Sequence, residues 1–188
     1  MLEKGADVDR AMEDGATPLY IACQNGHVDA ARLLLNNGAA VDRANEVSWT
    51  PLFAACRNGH VDAARLLLDN GAEVDRAEKQ GATPLFVACE HGHVDAVRLL
   101  LERGAVSEHD SSALCEGDAV EADYRGRGKF YPGKISRDRG DSSYDIAYDD
   151  GERETRVEAR LIRKLSLLDI AQENGHAAVV ALLEEHQK

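Results

Sequence analysis

The sequence predicts a multidomain α plus β protein, an α-solenoid of helix-turn-helix repeats interrupted by a small five-stranded β-barrel. A 33-residue pattern begins at Thr17, Thr50 and Thr83, and a fixed period of this length is typical of stacked repeats. The pattern returns in shortened form from Ser166, while residues 113–165 change to the two-residue alternation of strands. We therefore expect a repeat stack over 1–112, a barrel over 113–165 and a final helix pair over 166–188.

Each repeat is predicted to contain two short helices joined by a glycine. In the middle repeat Thr50 suits a helix N-cap, and Pro51 suits the first helical position, where its missing N–H costs nothing. Gly59 and Gly71 end the two helices, because glycine adopts the left-handed cap conformation without a steric penalty. The apolar faces of the two helices are Leu52, Ala55 and Cys56, and Val61, Ala64, Leu67 and Leu68. Two short helices cannot bury these faces alone, so each repeat needs neighbours on both sides.

The recurring elements T-P-L, G-H-V-D-A and L-L-L resemble the ankyrin repeat. The resemblance implies an ankyrin-repeat α-solenoid with a partial repeat over 1–16 and full repeats from 17, 50 and 83. It also implies a non-enzymatic scaffold for protein partners. Residues 1–10 match the end of a second helix and its turn. We therefore expect the chain to begin inside a repeat. We also expect the protein to be either a monomer or a fragment of a longer repeat array.

The charge balance of the chain is acidic, with 34 Asp plus Glu against 22 Lys plus Arg. This balance disfavours general phosphate binding and favours basic partners. The sequence contains no apolar run long enough to span a membrane and no secretory signal. We expect an intracellular protein without a membrane partner, in either the nucleus or the cytoplasm.

The positions of the repeat cysteines predict buried core residues rather than reactive or metal-binding thiols. Cys23, Cys56 and Cys89 occupy one equivalent position in three repeats and are predicted to be small buried residues. Cys115 has no nearby thiol in the sequence, and unpaired thiols favour a reducing compartment. We predict no disulfide, no metal and no cofactor.

No catalytic constellation is present in the sequence. The histidines that follow glycine in each repeat are predicted to bond to backbone at the helix junction, and they are His27, His60, His93 and His176. No nucleophile–base spacing, phosphate-binding loop or metal motif accompanies them. We predict no catalytic residue and no enzyme activity.

The fourth repeat is interrupted at its turn. Ser166 lies 83 residues after Thr83, which is one 33-residue period plus 50 extra residues. Insertions are best tolerated in such a turn, because it contacts least of the stacked core. Leu167 replaces the usual proline, so the start of this helix is predicted to be less firmly set.

The inserted segment is predicted to form short strands separated by turns. DAVEADY, KFYPGKIS and SYDIAY alternate as strands do, and ETRVEARLIRKL supplies a further short strand and a closing helical turn. Such strands within about fifty residues predict a small barrel. The segments GDAVEADY, FYPGKISRDRG and YDIAYDDG resemble a Tudor domain, which implies an SH3-like, Tudor-like barrel for residues 113–165.

The Tudor resemblance implies an aromatic cage for a methylated lysine or arginine. Aromatic faces hold such a cation well, since methylation reduces its hydration. By position the cage residues are Tyr124, Tyr131, Tyr148 and Asp150, and Glu152 stands where lysine-reading members often have another aromatic residue. The implied partner is a basic methylated tail. The alternative is a structural scaffold in which the barrel is a spacer and the tyrosines only fill its end.

The ankyrin resemblance implies that a protein partner meets the turn tips and the adjoining inner-helix surface. By position these residues are Glu13, Asp14, Gln24, Glu46, Val47, Trp49, Arg57, Lys79, Gln80, Glu90 and His91. Trp49 is not demanded by the repeat, because alanine stands at the equivalent position after Gly15 and Gly81. A tryptophan at the tip either anchors an interface or folds back on its own turn.

A second alternative function rests on the basic cluster RGRGK at 125–129, in a predicted hairpin. This cluster would give weak nucleic-acid binding through the phosphates. The net charge of -12 argues against it.

Overall fold

The structure is a computed structural model that describes residues 7–79, 81–105, 114, 116–124 and 129–186. Its helices are α1 (Pro18–Gln24), α2 (Val28–Asn36), α3 (Pro51–Arg57), α4 (Val61–Asp69), α5 (Pro84–Glu90), α6 (Val94–Glu102), α7 (Leu167–Glu173) and α8 (Ala177–His186). Its strands are β1 (Ala119–Asp123), β2 (Phe130–Asp138), β3 (Ser143–Tyr148), β4 (Arg153–Glu158) and β5 (Ile162–Lys164). The described residues thus combine helix pairs with a separate antiparallel sheet, which confirms the predicted α plus β class.

The inner helices α1, α3 and α5 begin as the sequence predicts. The side-chain oxygens of Thr17, Thr50 and Thr83 each accept a hydrogen bond, at 3.1 Å, from the backbone N–H three residues later. Proline follows each threonine at a position that needs no donor. Gly59, at φ +71°, lies between α3 and α4 and takes the left-handed conformation. The N-cap and glycine predictions are therefore confirmed.

The core of the stack lies between the inner and the second helices. Leu52, Cys56 and Leu67 are fully buried. The buried face of α4 is shifted from the predicted one. Ala63 and Leu66 are buried as well as Ala64 and Leu67, whereas Val61 and Leu68 are only half-buried. Each helix pair therefore presents apolar surface to both neighbours, as a repeat stack requires.

The three repeat cysteines are buried free thiols. Burial raises the pKa of Cys23, Cys56 and Cys89 to about 12. A thiol with so high a pKa stays protonated and unreactive near neutral pH. Their predicted role as small core residues is confirmed, while Cys115 lies outside the described residues.

Histidines at the start of the second helices join neighbouring repeats. The ring Nε2–H of His93 donates to the carbonyl of Arg57 at 3.0 Å, and that of His176 donates to the carbonyl of Glu90 at 2.9 Å. The His176 ring also lies so close to Gly92 that a Cβ there would come within 2.5 Å of its Nδ1. The predicted bonds to backbone are confirmed for these two histidines, but they run between repeats rather than within one helix junction.

The final helix pair completes the stack, with α7 packed on α5 and α8 packed on α6. The start of α7 is firm, contrary to the prediction from the missing proline, because Ser166 and Asp169 form a capping box. Asp169 N–H donates to Ser166 Oγ at 3.2 Å, and Ser166 N–H donates to Asp169 Oδ2 at 2.9 Å. These reciprocal bonds satisfy two donors that a helix start otherwise leaves unpaired.

The strands form one antiparallel sheet in the order β4-β3-β2-β1-β5. Its core contains the buried residues Val120, Ile135, Ile146 and Val157. A 3₁₀ turn at Ala159–Leu161 follows β4, where a closing helical turn was predicted, but the chain then continues into β5. No pairing among the described residues joins β4 to β5, so the sheet is open at both edges. Closure into a five-stranded barrel therefore stays a prediction.

Strands β1 and β5, the first and last along the chain, pair with each other and bring the two ends of the sheet segment together. Leu165 N–H donates to the Ala119 carbonyl at 2.9 Å, and Lys164 Nζ lies 2.9 Å from a carboxylate oxygen of Asp118. The first and last residues of the sheet segment therefore lie side by side. This closeness explains how α7 can pack directly on α5 although the sheet lies between them in sequence.

Candidate interaction surfaces

Trp49 lies on the inner-helix surface of the middle repeat. Its ring centroid is 5.2 Å from that of Phe53, and the guanidinium carbon of Arg57 lies 4.8 Å from the indole centroid. The ring also packs against the small buried cluster that contains Tyr20. Trp49 is half-buried. It therefore folds back on its own repeat and still offers part of its ring at the surface.

The turn before Trp49 is held by hydrogen bonds that fix the position of the ring. Asn45 Oδ1 accepts from the backbone N–H of Trp49 at 2.9 Å and from that of Val47 at 3.2 Å. The N–H of Glu46 donates to the carbonyl of Asp14 in the preceding turn at 3.0 Å. The first two turn tips are thus joined, which holds their side chains at a fixed spacing.

These two tips expose apolar side chains among carboxylates. Met12 and Val47 are 63% and 48% exposed, and Glu13, Asp14 and Glu46 are exposed next to them in the chain. Met12 is not among the predicted surface residues, and its equivalents in the next two repeats are polar. Apolar side chains among acidic ones suit a partner with apolar and basic contact residues.

The remaining predicted surface residues lie further along the stack. Lys79 and His91 are exposed, whereas Gln24 and Glu90 are half-buried. Gln80 lies outside the described residues. Lys79 does not lie at a free turn tip, because it lines a cleft between its turn and the inserted sheet.

The three tyrosines predicted for an aromatic cage lie together at one end of the sheet core. The ring centroid of Tyr124 is 5.3 Å from that of Tyr148 and 6.1 Å from that of Tyr131, with interplanar angles of 85° and 81°. Tyr148 is buried, with 5% of its surface exposed, whereas Tyr131 is 41% exposed. The cluster therefore closes one end of the core and leaves one aromatic wall at the surface.

Two glutamates contact the tyrosine hydroxyls. The hydroxyl of Tyr148 donates to Glu154 at 3.0 Å, and that of Tyr124 donates to Glu152. Asp150 instead accepts from the backbone N–H of Glu152, at 3.0 Å, within the turn. Burial, and then the bond to Glu154, raise the pKa of Tyr148, so its hydroxyl stays neutral and remains a donor. Glu152 and Glu154 follow the turn after Tyr148 and lie two residues apart, as residues on one face of a strand do. This spacing is the sequence signal that could have identified them.

The basic cluster at 125–129 falls mostly outside the described residues. Lys129 is its one described member, and it is exposed. Its backbone helps to close the hairpin, since its N–H donates to the Asp123 carboxylate at 3.1 Å and its carbonyl accepts from Tyr124 N–H at 3.1 Å. The described contacts therefore give no support to the nucleic-acid alternative.

The described residues offer contact surfaces rather than a metal centre. They contain no group of three or more side chains suited to hold a metal ion. In the same part of the chain no helix is both long and apolar enough to cross a membrane.

Paired helices that stack in this way define a solenoid repeat protein, a class whose extended surface serves as a scaffold for binding. A comparison with protein families matches ankyrin repeats (3 copies) to residues 1–78 and again to residues 41–111. The two matches together cover residues 1–111 of 188, and the chain belongs to the ankyrin-repeat family. Ankyrin repeats support a role as a protein-interaction scaffold, and the family is generally non-enzymatic. The matches end before the strands, so the Tudor resemblance stays a prediction.

Two curated relatives match this chain over about the length of one repeat. Cortactin-binding protein 2 of Ornithorhynchus anatinus is 56% identical over 34 residues, which are 18% of this chain and 2% of that protein. Cortactin-binding protein 2 of Echinops telfairi is 53% identical over 34 residues, with the same shares of the two chains. The match thus spans 2% of the length of these relatives, and the likeness is one of repeat sequence.

Proposed function

We propose that the protein is a scaffold that binds a protein partner on the inner surface and turn tips of its first two repeats, with Trp49 as the anchor. The position of this ring carries the proposal, because Trp49 is held by Asn45, backed by Phe53 and Arg57, and only half-buried. A rigid aromatic side chain in such a setting loses little entropy when it binds. The exposed carboxylates of the tips and the net charge of -12 favour basic residues beside the apolar contact of the partner.

A peptide library displayed on phage and selected on the purified protein tests this proposal. We expect the selected peptides to combine apolar with basic residues and to bind Trp49→Ala about 30-fold more weakly, since an interface anchor contributes about 2 kcal/mol or more. Phe130→Ala removes an exposed ring from the sheet and is the matched control, which should leave binding unchanged. Peptides that bind Trp49→Ala as tightly as the wild type would overturn the proposal.

A second candidate function is recognition of a methylated lysine or arginine by the tyrosine cluster. The perpendicular rings of Tyr124 and its two neighbours favour it, as do the carboxylates of Glu152 and Glu154. Aromatic faces and nearby negative charge both attract a cation. The burial of Tyr148 favours the competing explanation, in which the tyrosines only close the core of a spacer. With aromatic faces worth about 0.5–2 kcal/mol each, a reader of this kind has a Kd of about 10 μM to 1 mM.

Tyr131→Ala distinguishes a reader from a spacer, because Tyr131 is the exposed member of the cluster. Peptides with unmethylated, monomethyl, dimethyl and trimethyl lysine, and with methylated arginine, are titrated into the wild type and the variant. A reader binds a methylated peptide in the expected range and loses about tenfold in Tyr131→Ala. Phe130→Ala is the control, since adjacent strand residues point to opposite faces. Equal binding of methylated and unmethylated peptides would leave the spacer as the explanation.

A further inference from the structure

The full repeats differ in what covers the aromatic residue near the start of each inner helix. Tyr20, Phe53 and Phe86 occupy this position at 33-residue spacing. Tyr20 and Phe53 are buried, and the ring of Trp49 packs on Phe53 from the same repeat. Phe86 is only half-buried. Alanine stands at the position of Trp49 in the first and third repeats, but Trp49 also packs on the cluster that contains Tyr20.

The inserted sheet covers Phe86 instead. Lys134, in β2, places its ammonium nitrogen 5.8 Å from the centroid of the Phe86 ring, within the range of a cation–π contact. The residue four positions after the aromatic one lies on the same helix face, and it is Arg57 in the middle repeat but Glu90 in the third. In the middle repeat the cation beside the aromatic residues is therefore Arg57 of the same repeat. In the third repeat a carboxylate, Glu90, stands at that position, and the cation is Lys134 of the sheet.

The described contact between the sheet and the stack is small. Strands pack mainly on strands, and helices pack mainly on helices. A cleft of about 490 Å³ remains between the two parts, lined by charged and small side chains that include Lys79, Glu116, Lys134 and Asp149. A single cation–π contact at a partly open site gives only about a two- to fivefold preference. A competing cation can therefore displace Lys134 from Phe86.

We propose that Phe86 and Glu90 form a second docking site, for a lysine or arginine side chain of a protein partner, which Lys134 fills in the free protein. The sheet is then a displaceable cover of the third repeat. A basic segment that displaces Lys134 extends its contact along the inner surface of the stack. This site is separate from Trp49 and from the tyrosine cluster, so it does not depend on either being a binding site.

Fluorine NMR tests whether the cover is formed. The chain has three phenylalanines, Phe53, Phe86 and Phe130, so labelling with 4-fluorophenylalanine gives one signal for each. We expect Lys134→Gln to shift the Phe86 signal and to leave the Phe53 signal in place. Lys129→Gln makes the same charge change at an exposed lysine and should leave Phe86 unchanged. An unchanged Phe86 signal in Lys134→Gln would overturn the proposal.

Titration with a tetralysine peptide tests the docking itself. We expect the Phe86 signal to move at about two- to fivefold lower peptide concentration in Lys134→Gln than in the wild type or in Lys129→Gln, because the internal competitor is gone. Glu90→Gln should raise the peptide concentration that is needed. The same response in Lys134→Gln and in the wild type, or a response confined to the Phe53 signal, would contradict the proposal.

Discussion

Leu67→Ala is expected to lower the free energy of unfolding by about 2–5 kcal/mol. Leu67 is fully buried in α4, and its truncation leaves a cavity that the surrounding helices can fill only in part. The middle repeat also supports its neighbours on both sides, so damage there reaches the whole stack. Urea denaturation followed by the helical circular dichroism signal measures the change as a lower midpoint.

Leu33→Ala is the matched control for this truncation. Leu33 lies in α2 and is 44% exposed, so removing the same atoms there is expected to cost less than about 0.5 kcal/mol. Comparable losses in the two variants would mean that Leu67 is not buried, and the packing of the stack would then be wrong.

The helical stack is largely predictable from the sequence because its signals are local and repeated. Thr50 and Gly59 each fix one end of α3 through bonds within a few residues, and the 33-residue period presents the same signals three times. The firm start of α7 was harder to predict, since the capping box of Ser166 and Asp169 replaces the proline. The bond from His176 to Glu90 joins residues 86 apart in the sequence, and no local pattern contains it.

The candidate sites are less predictable because their contacts are not local. The Tudor resemblance indicated which tyrosines meet, and the structure places their rings together. The resemblance gives Asp150 as the carboxylate that pairs with a bound ammonium, and this stays a prediction. The resemblance did not indicate the bonds of the tyrosine hydroxyls to Glu152 and Glu154, nor the bond of the Asp150 side chain to the backbone of the turn after β3. The contact of Lys134 with Phe86 depends on how the sheet meets the stack, which periodicity does not encode.

Gly133→Ala is expected to unfold most of the inserted sheet while the stack stays folded. Gly133 pairs with Tyr148 across β2 and β3, and a Cβ there would lie 2.6 Å from the Ala147 carbonyl oxygen and 3.0 Å from the Tyr148 Cα. These are backbone atoms of the neighbouring strand, so only a movement of that strand relieves the clash. Overpacking typically costs about 1–3 kcal/mol and occasionally more. Because this clash is with backbone atoms, we expect a cost at or above the upper end of that range, which would consume most of the roughly 3–5 kcal/mol that so small a unit can have.

Tyrosine resonances separate the two parts of the molecule in this experiment. The chain has five tyrosines, of which Tyr20 lies in α1 and the others lie in or beside the strands. In spectra of tyrosine-labelled Gly133→Ala, we expect the strand signals to move to random-coil positions while Tyr20 keeps its native shift. The stack should persist because the bond from His176 to Glu90 joins α8 to α5 without any contribution from the sheet.

Gly140→Asn is the control for the steric argument. A Cβ at Gly140 meets nothing within 4 Å, and its φ of +74° is one that asparagine tolerates better than other residues with a side chain. This variant is therefore expected to cost less than about 1 kcal/mol and to keep the sheet folded. If both variants lost the sheet, the clash at Gly133 would not be the cause. If Gly133→Ala also lost the native Tyr20 signal, the sheet would be a support of the stack rather than a separate unit inserted into one of its turns.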